Sequence, residues 1–124
     1  VLERAGVKRV DLVEADATAL DCARINVADD RARFIWGDAT QFRADGYADH
    51  VVCNPPFHQG FNIDSELTAK FLTASKRLLA PKGRALFVVN NFIALEKKAQ
   101  DYFPRVREVA RSGSFKLIMV SLKD

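Results

Sequence analysis

The stretch that decides the fold is His50-Val51-Val52-Cys53-Asn54-Pro55-Pro56-Phe57-His58-Gln59-Gly60. Its first four residues have the pattern of a buried β-strand, and an asparagine with two prolines ends that strand abruptly. Each proline fixes its own φ and removes a backbone N–H. The carbonyls and the Asn54 amide are therefore free to face a ligand. In open α/β sheets, ligands bind beyond the carboxyl ends of the strands.

Apolar runs alternate with helical patterns along the chain, which is typical of βαβ units with a parallel sheet. Capping residues and apolar spacing predict helices over 16–28, 64–78 and 95–103. The predicted strands cover 9–14, 32–36, 49–53, 84–89, 105–110 and 115–122. The last two strands would form a β-hairpin. The pattern thus predicts a Rossmann-like α/β sheet with helices on both faces, as a single domain over residues 1–124.

Apolar residues in these elements identify the expected core. The strand over 84–89 is apolar on both faces, which indicates burial on both. In the helix that precedes it, Leu67, Phe71, Ala74 and Leu78 follow helical spacing and should face the sheet. The aromatic residues expected in the core are Phe34, Trp36, Phe71, Phe87 and Phe115.

Composition places few limits on function. The 124 residues carry a net charge of +3, which permits a nucleic-acid partner without arguing for one. No apolar run approaches the roughly 20 residues that a membrane-spanning helix needs. Cys22 and Cys53 lack metal-type spacing, so we expect buried, reduced thiols in a cytosolic protein. Val1–Gly6 has the pattern of the last turn of a helix, and we expect that further chain precedes it.

Four predicted strands end in polar residues: Glu14, Asp38, Asn54 and Asn90. Carboxyl ends of parallel strands lie at one edge of a sheet, so these side chains are expected near a common site. An acid such as Glu14 can bind the two hydroxyls of a ribose, but it could equally be a solvated acid near a helix start. Asp38 could accept a hydrogen bond from an adenine amino group. Taken alone, it is better explained as the cap of the segment 39–42.

Asn54 has the strongest chemical argument. Transfer of a methyl group to an aromatic amine is difficult because the nitrogen lone pair is delocalised into the ring. The Asn54 side-chain oxygen and the Pro55 carbonyl could accept the amine hydrogens and direct the lone pair at the methyl donor. Phe57 could stack on the base. The alternative is that Asn-Pro-Pro only forms a tight turn.

Six stretches together resemble class I S-adenosylmethionine-dependent methyltransferases. They are DLVEA (11–15), ALDCARIN (19–26), FIWGD (34–38), NPPFHQG (54–60), LLAPKGR (78–84) and GSFK (113–116). The closest fit is the "methyltransferase small" domain, and within it the ribosomal RNA guanine-N2 methyltransferases that modify small-subunit rRNA. The Phe-His-Gln-Gly extension favours these enzymes over the Asn-Pro-Pro-Tyr methyltransferases that act on adenine or on protein glutamine.

The resemblance implies S-adenosyl-L-methionine as the cofactor, guanine N2 of ribosomal RNA as the methyl acceptor, and a cytoplasmic location. It implies no metal and no membrane, and it allows a homodimer. The residues implied in cofactor binding are Glu14, Ala15, Asp38, Ala39 and Asn54. Those implied in catalysis are Asn54, Pro55, Pro56 and Phe57.

One departure from the family pattern concerns the cofactor. The family's first strand and its glycine-rich loop are missing, because no Gly-x-Gly precedes Glu14. We therefore expect the chain to be the C-terminal portion of a methyltransferase catalytic domain, with weak S-adenosylmethionine binding in isolation. A non-catalytic fragment that acts as a binding or dimerisation module is the alternative. An unrelated dinucleotide-binding half-domain ranks last, since it too needs a glycine loop.

Overall fold

The computed structural model describes residues 6, 8–14, 17–27, 29–43, 46–55 and 65–123, with the side chains of 14, 17, 36 and 65 left out. The chain divides into two compact units, Val1–Phe42 and Arg43–Asp124. Each unit has its own sheet, one of two strands and one of four.

The first unit contains β1 (Val10–Glu14), α1 (Ala17–Asn26) and β2 (Ala32–Trp36). The two strands pair in parallel, with Glu14 opposite Trp36 at their last positions. Their carboxyl ends therefore lie at the same edge of this sheet. Leu20 of α1 is 2% exposed, and α1 packs on both strands.

The second unit is built around a mixed sheet in the order β3-β4-β6-β5. Strand β3 pairs in parallel with β4, and the other two pairings are antiparallel. The expected C-terminal hairpin is therefore confirmed as β5 and β6. The elements of this unit are β3 (Ala48–Cys53), α2 (Ser65–Leu78), β4 (Leu79–Asn90), α3 (Leu95–Ala99), β5 (Arg105–Arg111) and β6 (Phe115–Ser121).

The core of the second unit lies on one face of this sheet. Phe87, Ile118 and Val120 are fully buried there, together with Leu72 of α2 and Leu95 of α3. Burial of such side chains stabilises the fold by about 1.5–3 kcal/mol each.

Strand β4 alternates between this buried face and a half-exposed one. Ala85, Phe87 and Val89 are buried, whereas residues 86, 88 and 90 are half-buried. The prediction that this strand is buried on both faces is therefore wrong for the described residues. The helices α2 and α3 contribute to the same core as Ala85, Phe87 and Val89. The side chains of residues 86, 88 and 90 point to the other face of β4 and remain partly accessible.

The register of β3 explains why β4 begins before the predicted residue 84. Ala48 pairs with Leu79, and the pairing then shifts so that His50 lies opposite Arg84. The chain thus enters the sheet directly after α2, with Pro81 inside the strand. Gly83 fits this shift, because a Cβ there would lie 3.0 Å from the carbonyl oxygens of residues 48 and 49.

Two helical predictions also need correction. In α2, predicted Ala74 is buried and Leu67 and Phe71 pack against the core, but Thr68, Leu72 and Ser75 are buried as well, so the buried face is wider than the predicted stripe. Helix α3 ends at Ala99 instead of 103, because the chain continues as turns in which the amides of residues 102 and 103 donate to the Ala99 carbonyl.

Candidate functional site

A cleft of about 320 Å³ opens at the end of β3 and β4 in the second unit. Its volume falls within the roughly 300–1,000 Å³ that is usual for small-molecule sites. Its lining combines two carboxamides, a proline, an aromatic ring and aliphatic side chains. The lining residues are Asn54, Pro55, Val88, Val89, Asn90, Ile93 and Phe115.

The first wall of the cleft is the strand end predicted from the sequence. Cys53 is the last residue of β3 and pairs with Phe87, so Asn54 follows directly at the sheet edge. Asn54 is exposed, whereas Pro55 is buried. A buried ring with a fixed φ places the preceding carboxamide and the Pro55 carbonyl on a rigid segment.

The second wall is the end of β4, where Asn90 lies opposite Phe115 of β6. The Asn90 carbonyl accepts a hydrogen bond of 3.0 Å from the Ile93 amide, which turns the chain toward α3. The structure thus brings Asn54 and Asn90 to one cleft, as expected for the ends of neighbouring parallel strands.

Phe115 is the functional candidate that the sequence analysis missed. It was predicted to lie in the core, but it is 48% exposed and lines the cleft. Its position follows from the register, because the residue opposite Asn90 lies on the half-exposed face of β4. The Gly-Ser-Phe pattern at the start of the last strand was the signal that could have indicated this position.

Hydrogen bonds fix the segment that carries Phe115. The Ser112 hydroxyl accepts from the Phe115 amide at 3.1 Å, and the Ser112 amide donates to the Phe115 carbonyl at 2.7 Å. Asn91 joins this turn to the end of β4: its amide donates to the Ser114 carbonyl at 3.0 Å and its Nδ2 to the Ser112 carbonyl at 2.9 Å. The backbone of Phe115 is therefore fixed by its own turn, and that turn is fixed to the end of β4.

Several predicted site residues lie outside the described residues. They are Ala15, Pro56 and Phe57. Glu14 is described as the last residue of β1, without its side chain. Its predicted contact with a ribose therefore stays a prediction.

Asp38 lies just beyond β2, at the carboxyl edge of the two-stranded sheet, and is exposed. Its Oδ1 accepts from the Thr40 amide at 2.8 Å and from the Thr40 hydroxyl at 2.6 Å. The Asp38 carbonyl also accepts from the Gln41 amide at 3.0 Å. The expected capping of the turn after Gly37 is therefore present, and half-buried Ala39 lies within that turn. A role in cofactor binding stays a prediction for both residues.

The two cysteines differ in their surroundings, although both are free thiols. Cys53 is partly buried directly before Asn54, and burial raises the pKa of its thiol to about 12. It is therefore protonated at neutral pH and unsuited to act as a nucleophile. Cys22 is exposed, so its predicted burial is wrong: its position on α1 faces away from the strands.

No group of three or more His, Cys, Asp or Glu side chains is placed to hold a metal ion within the described part of the chain. Among the same residues, no helix is long and apolar enough to cross a membrane.

Known proteins resemble this chain over most of its length. Ribosomal RNA large subunit methyltransferase G of Shewanella amazonensis is 34% identical over 116 residues, covering 89% of this chain. Ribosomal RNA small subunit methyltransferase C of Alteromonas mediterranea is 27% identical over 120 residues, covering 92% of this chain. The chain spans 30% and 32% of the lengths of these two relatives.

Solved structures share the fold. A 16S rRNA N2 methyltransferase of Thermus thermophilus, solved in complex with AdoMet and guanosine, superposes with a TM-score of 0.76 at 21% identity. The superposition covers 93% of this chain and 32% of that structure. The Rossmann-like methyltransferase fold is thus confirmed. A match to the Methyltransferase small domain extends over residues 1–119. The chain therefore belongs to the Methyltransferase small domain family.

Proposed function

We propose that this chain is part of an S-adenosylmethionine-dependent methyltransferase that methylates N2 of guanine in ribosomal RNA. The observation that carries the proposal is the cleft that Asn54 and Pro55 line together with an exposed aromatic ring, Phe115. Membership of the family and the relatives named for rRNA methylation support it. Ribosomal RNA as the partner and a cytoplasmic location are parts of the same proposal.

Asn54 and Pro55 act on the amine that receives the methyl group. The amine of guanine is a poor nucleophile, because its lone pair is shared with the ring. Hydrogen bonds from the amine to Asn54 Oδ1 and to the Pro55 carbonyl favour a pyramidal nitrogen whose lone pair points away from both acceptors. The rigid segment fixes these acceptors before substrate binds, so little reorganisation is needed in the transition state.

The base itself is held by the apolar and aromatic part of the cleft. Stacking of a base on an aromatic side chain contributes about 1–3 kcal/mol. Phe115 supplies such a surface, and Val88 and Ile93 border the same space. A guanine in a duplex has to leave the stack to enter a cleft of this kind. Stacking on Phe57 remains part of the proposal from the sequence.

The cofactor supplies an electrophilic methyl group when it is bound. The residues proposed to hold it are Glu14 at the end of β1, Asp38 and Ala39 after β2, and Asn54, together with Ala15, which follows Glu14 in the sequence. Asp38 fits this role, because its exposed carboxylate is oriented by two hydrogen bonds from Thr40 at a strand end. An oriented acceptor of this kind suits an adenine amino group.

The test is nucleoside mass spectrometry of rRNA from cells that lack the gene encoding this chain. We expect the loss of one N2-methylguanosine, which the wild-type gene restores. Asn54→Ala should restore less than about a tenth of it, since removing one preorganised hydrogen-bond donor from an oxyanion hole costs about 10²–10³ in rate and Asn54 would be an acceptor preorganised in the same way. Asn26→Ala, an exposed asparagine at the end of α1, is the matched control and should restore it fully.

The same measurement separates the alternatives. Loss of N6-methyladenosine instead would identify an adenine methyltransferase, and unchanged rRNA with a hypomethylated protein glutamine would identify a protein methyltransferase. Unchanged methylation of both RNA and protein would support a non-catalytic module. Full restoration by Asn54→Ala would contradict the proposed role of that residue.

A further inference from the structure

We propose that Asn90 selects guanine over adenine by hydrogen bonding to N1–H and O6 of the base whose amine lies at Asn54. This inference rests on the proposed function. It assigns a specificity role to a strand-end residue that the methylation chemistry itself does not use.

The first step is placement. Asn90 ends β4, the strand next to β3, and lines the same cleft as Asn54. Continuing the register from Cys53 and Phe87 places Asn90 two residues beyond the position opposite Asn54. With strands about 4.8 Å apart and a rise of about 3.3 Å per residue, the two Cα atoms are roughly 8 Å apart. At that distance, neighbouring polar groups on one edge of a base can form hydrogen bonds with both side chains at once.

The second step is orientation. Side chains in β4 alternate, and Asn90 lies with Val88 on the half-exposed face. Its partner in the register is Phe115, the exposed aromatic ring of the cleft. A base that stacks on Phe115 would therefore have an edge within reach of the Asn90 carboxamide.

The third step is hydrogen-bonding capacity. Within the described part of the chain, the carboxamides of Asn54 and Asn90 have no hydrogen-bond partner. The turn after β4 uses only the Asn90 backbone carbonyl, which accepts from Ile93. Asn91 is different, since its Nδ2 donates to the Ser112 carbonyl and holds the turn. The half-buried Asn90 carboxamide therefore makes no hydrogen bond that would explain a structural role for it.

The fourth step is the chemistry of the two purines. A carboxamide offers one acceptor and two donors. With the guanine amine at Asn54, the next groups along that edge are N1–H and O6. Asn90 Oδ1 would accept from N1–H, and its Nδ2 would donate to O6. Adenine in the same place presents an N1 acceptor followed by C2–H, so it makes one hydrogen bond instead of two.

The experiment is an NMR titration of this chain with guanosine, 1-methylguanosine and inosine, giving a Kd for each. A good bidentate contact discriminates by about tenfold, so guanosine should bind about tenfold more tightly than 1-methylguanosine, which lacks N1–H. Asn90→Leu should weaken the binding of guanosine about tenfold and abolish the preference for guanosine over 1-methylguanosine. The preference for guanosine over inosine, which lacks the amine, should persist in Asn90→Leu, because it depends on Asn54.

Asn90→Asp is the second variant. It keeps an acceptor for N1–H but places a carboxylate against O6, so it too should weaken the binding of guanosine. The aspartate side chain has nearly the same size as that of asparagine, so a difference in size does not explain the effect. Asn26→Ala is the matched control, because Asn26 is an exposed asparagine at the end of α1: it should leave the ratio of guanosine to 1-methylguanosine unchanged.

The inference is overturned if the wild-type chain binds guanosine and 1-methylguanosine equally, if Asn90→Leu keeps the wild-type ratio, or if Asn90→Asp binds guanosine as tightly as the wild-type chain. Absence of nucleoside binding by the wild-type chain would also overturn it. The proposed function is tested separately, by mass spectrometry of cellular rRNA. If Asn90→Leu keeps the wild-type ratio of guanosine to 1-methylguanosine affinity while the cellular rRNA still contains the N2-methylguanosine, only the specificity role of Asn90 is removed.

Discussion

Lys116 Nζ lies 2.9 Å from both carboxylate oxygens of Glu96, and only 4% of the Lys116 side chain is exposed. This ion pair joins the start of β6 to the first turn of α3. Lys116 follows Phe115 directly, and Glu96 follows the cleft residue Ile93 by three positions. The pair therefore links the two segments that carry one wall of the cleft.

Removing Glu96 should destabilise the second unit, because it leaves a buried ammonium without its partner. We expect Glu96→Gln to lower the free energy of unfolding by about 1–3 kcal/mol, at or below the usual 3–5 because Glu96 is 31% exposed. Urea unfolding measures the change. The double variant with Lys116→Met should recover part of the loss, since no charge then remains buried. A double variant as unstable as the sum of both single changes would contradict this account.

A side chain at position 83 should destabilise the protein. A Cβ at this position would lie 2.9 Å from Leu79 Cδ2 and 3.0 Å from two carbonyl oxygens of β3. The backbone of the paired strand cannot yield easily, so Gly83→Ala should cost about 1–3 kcal/mol of stability. Gly113→Ala is the control, because nothing lies within 4 Å of its added Cβ. Thermal unfolding of both variants checks the difference, and equal melting temperatures would contradict it.

The two thiols should react at very different rates. At pH 8 the exposed Cys22 should react rapidly with a disulfide reagent. Cys53 should react slowly, because burial raises the pKa of its thiol to about 12 and limits access. Stopped-flow absorbance should show one fast equivalent that disappears in Cys22→Ser and remains in Cys53→Ser. A fast phase that survives in Cys22→Ser would show that Cys53 is accessible.

Asp29 should titrate at an unusually low pH. Hydrogen bonds from the side chain and amide of Arg31 lower the pKa of its carboxyl from 3.8 to about 2. Because the folded-state pKa is depressed, the stabilising contribution is present above about pH 4 and is lost as the pH falls toward 2. Carboxyl-carbon NMR gives the midpoint directly. Arg31→Gln should move that midpoint up toward 3.8, and an unchanged midpoint would exclude Arg31 as the cause.

Phe115 should contribute to binding more than to stability, since it is half-exposed and lines the cleft. Phe115→Ala should weaken guanosine binding by about tenfold, as expected for the loss of one stacking surface. Phe92→Ala is the matched control, because Phe92 is 67% exposed and is not among the residues that line the cleft. Guanosine titrations followed by NMR compare the two. Similar affinities for both variants would remove Phe115 from the site.

Local patterns in the sequence were sufficient for the order and type of the elements. Strand β2 was predicted with its observed limits, and β1, β3, β5 and β6 were each within one residue. These segments have strong apolar patterns and clear turn residues at their ends. Single-domain organisation as the C-terminal portion of a methyltransferase catalytic domain stays a prediction.

Pairing between distant segments decided what the local pattern missed. Strand β4 is longer than predicted because Leu79 pairs with Ala48, and no local signal reports such a partner. The buried face of α2 includes Thr68, Leu72 and Ser75 besides predicted Ala74, because burial depends on the sheet that the helix meets, as well as on its own periodicity.

The sequence by itself determined the strand end at Asn54 and Pro55, since an asparagine and prolines constrain the backbone wherever they occur. It also determined the α/β order and the family. Only the tertiary structure decided that Phe115 lines the cleft instead of packing in the core, and that Asn90 lines the same cleft as Asn54. It also decided that Lys116 is buried against Glu96. Those relationships depend on strand register, which is set by contacts between residues far apart in the chain.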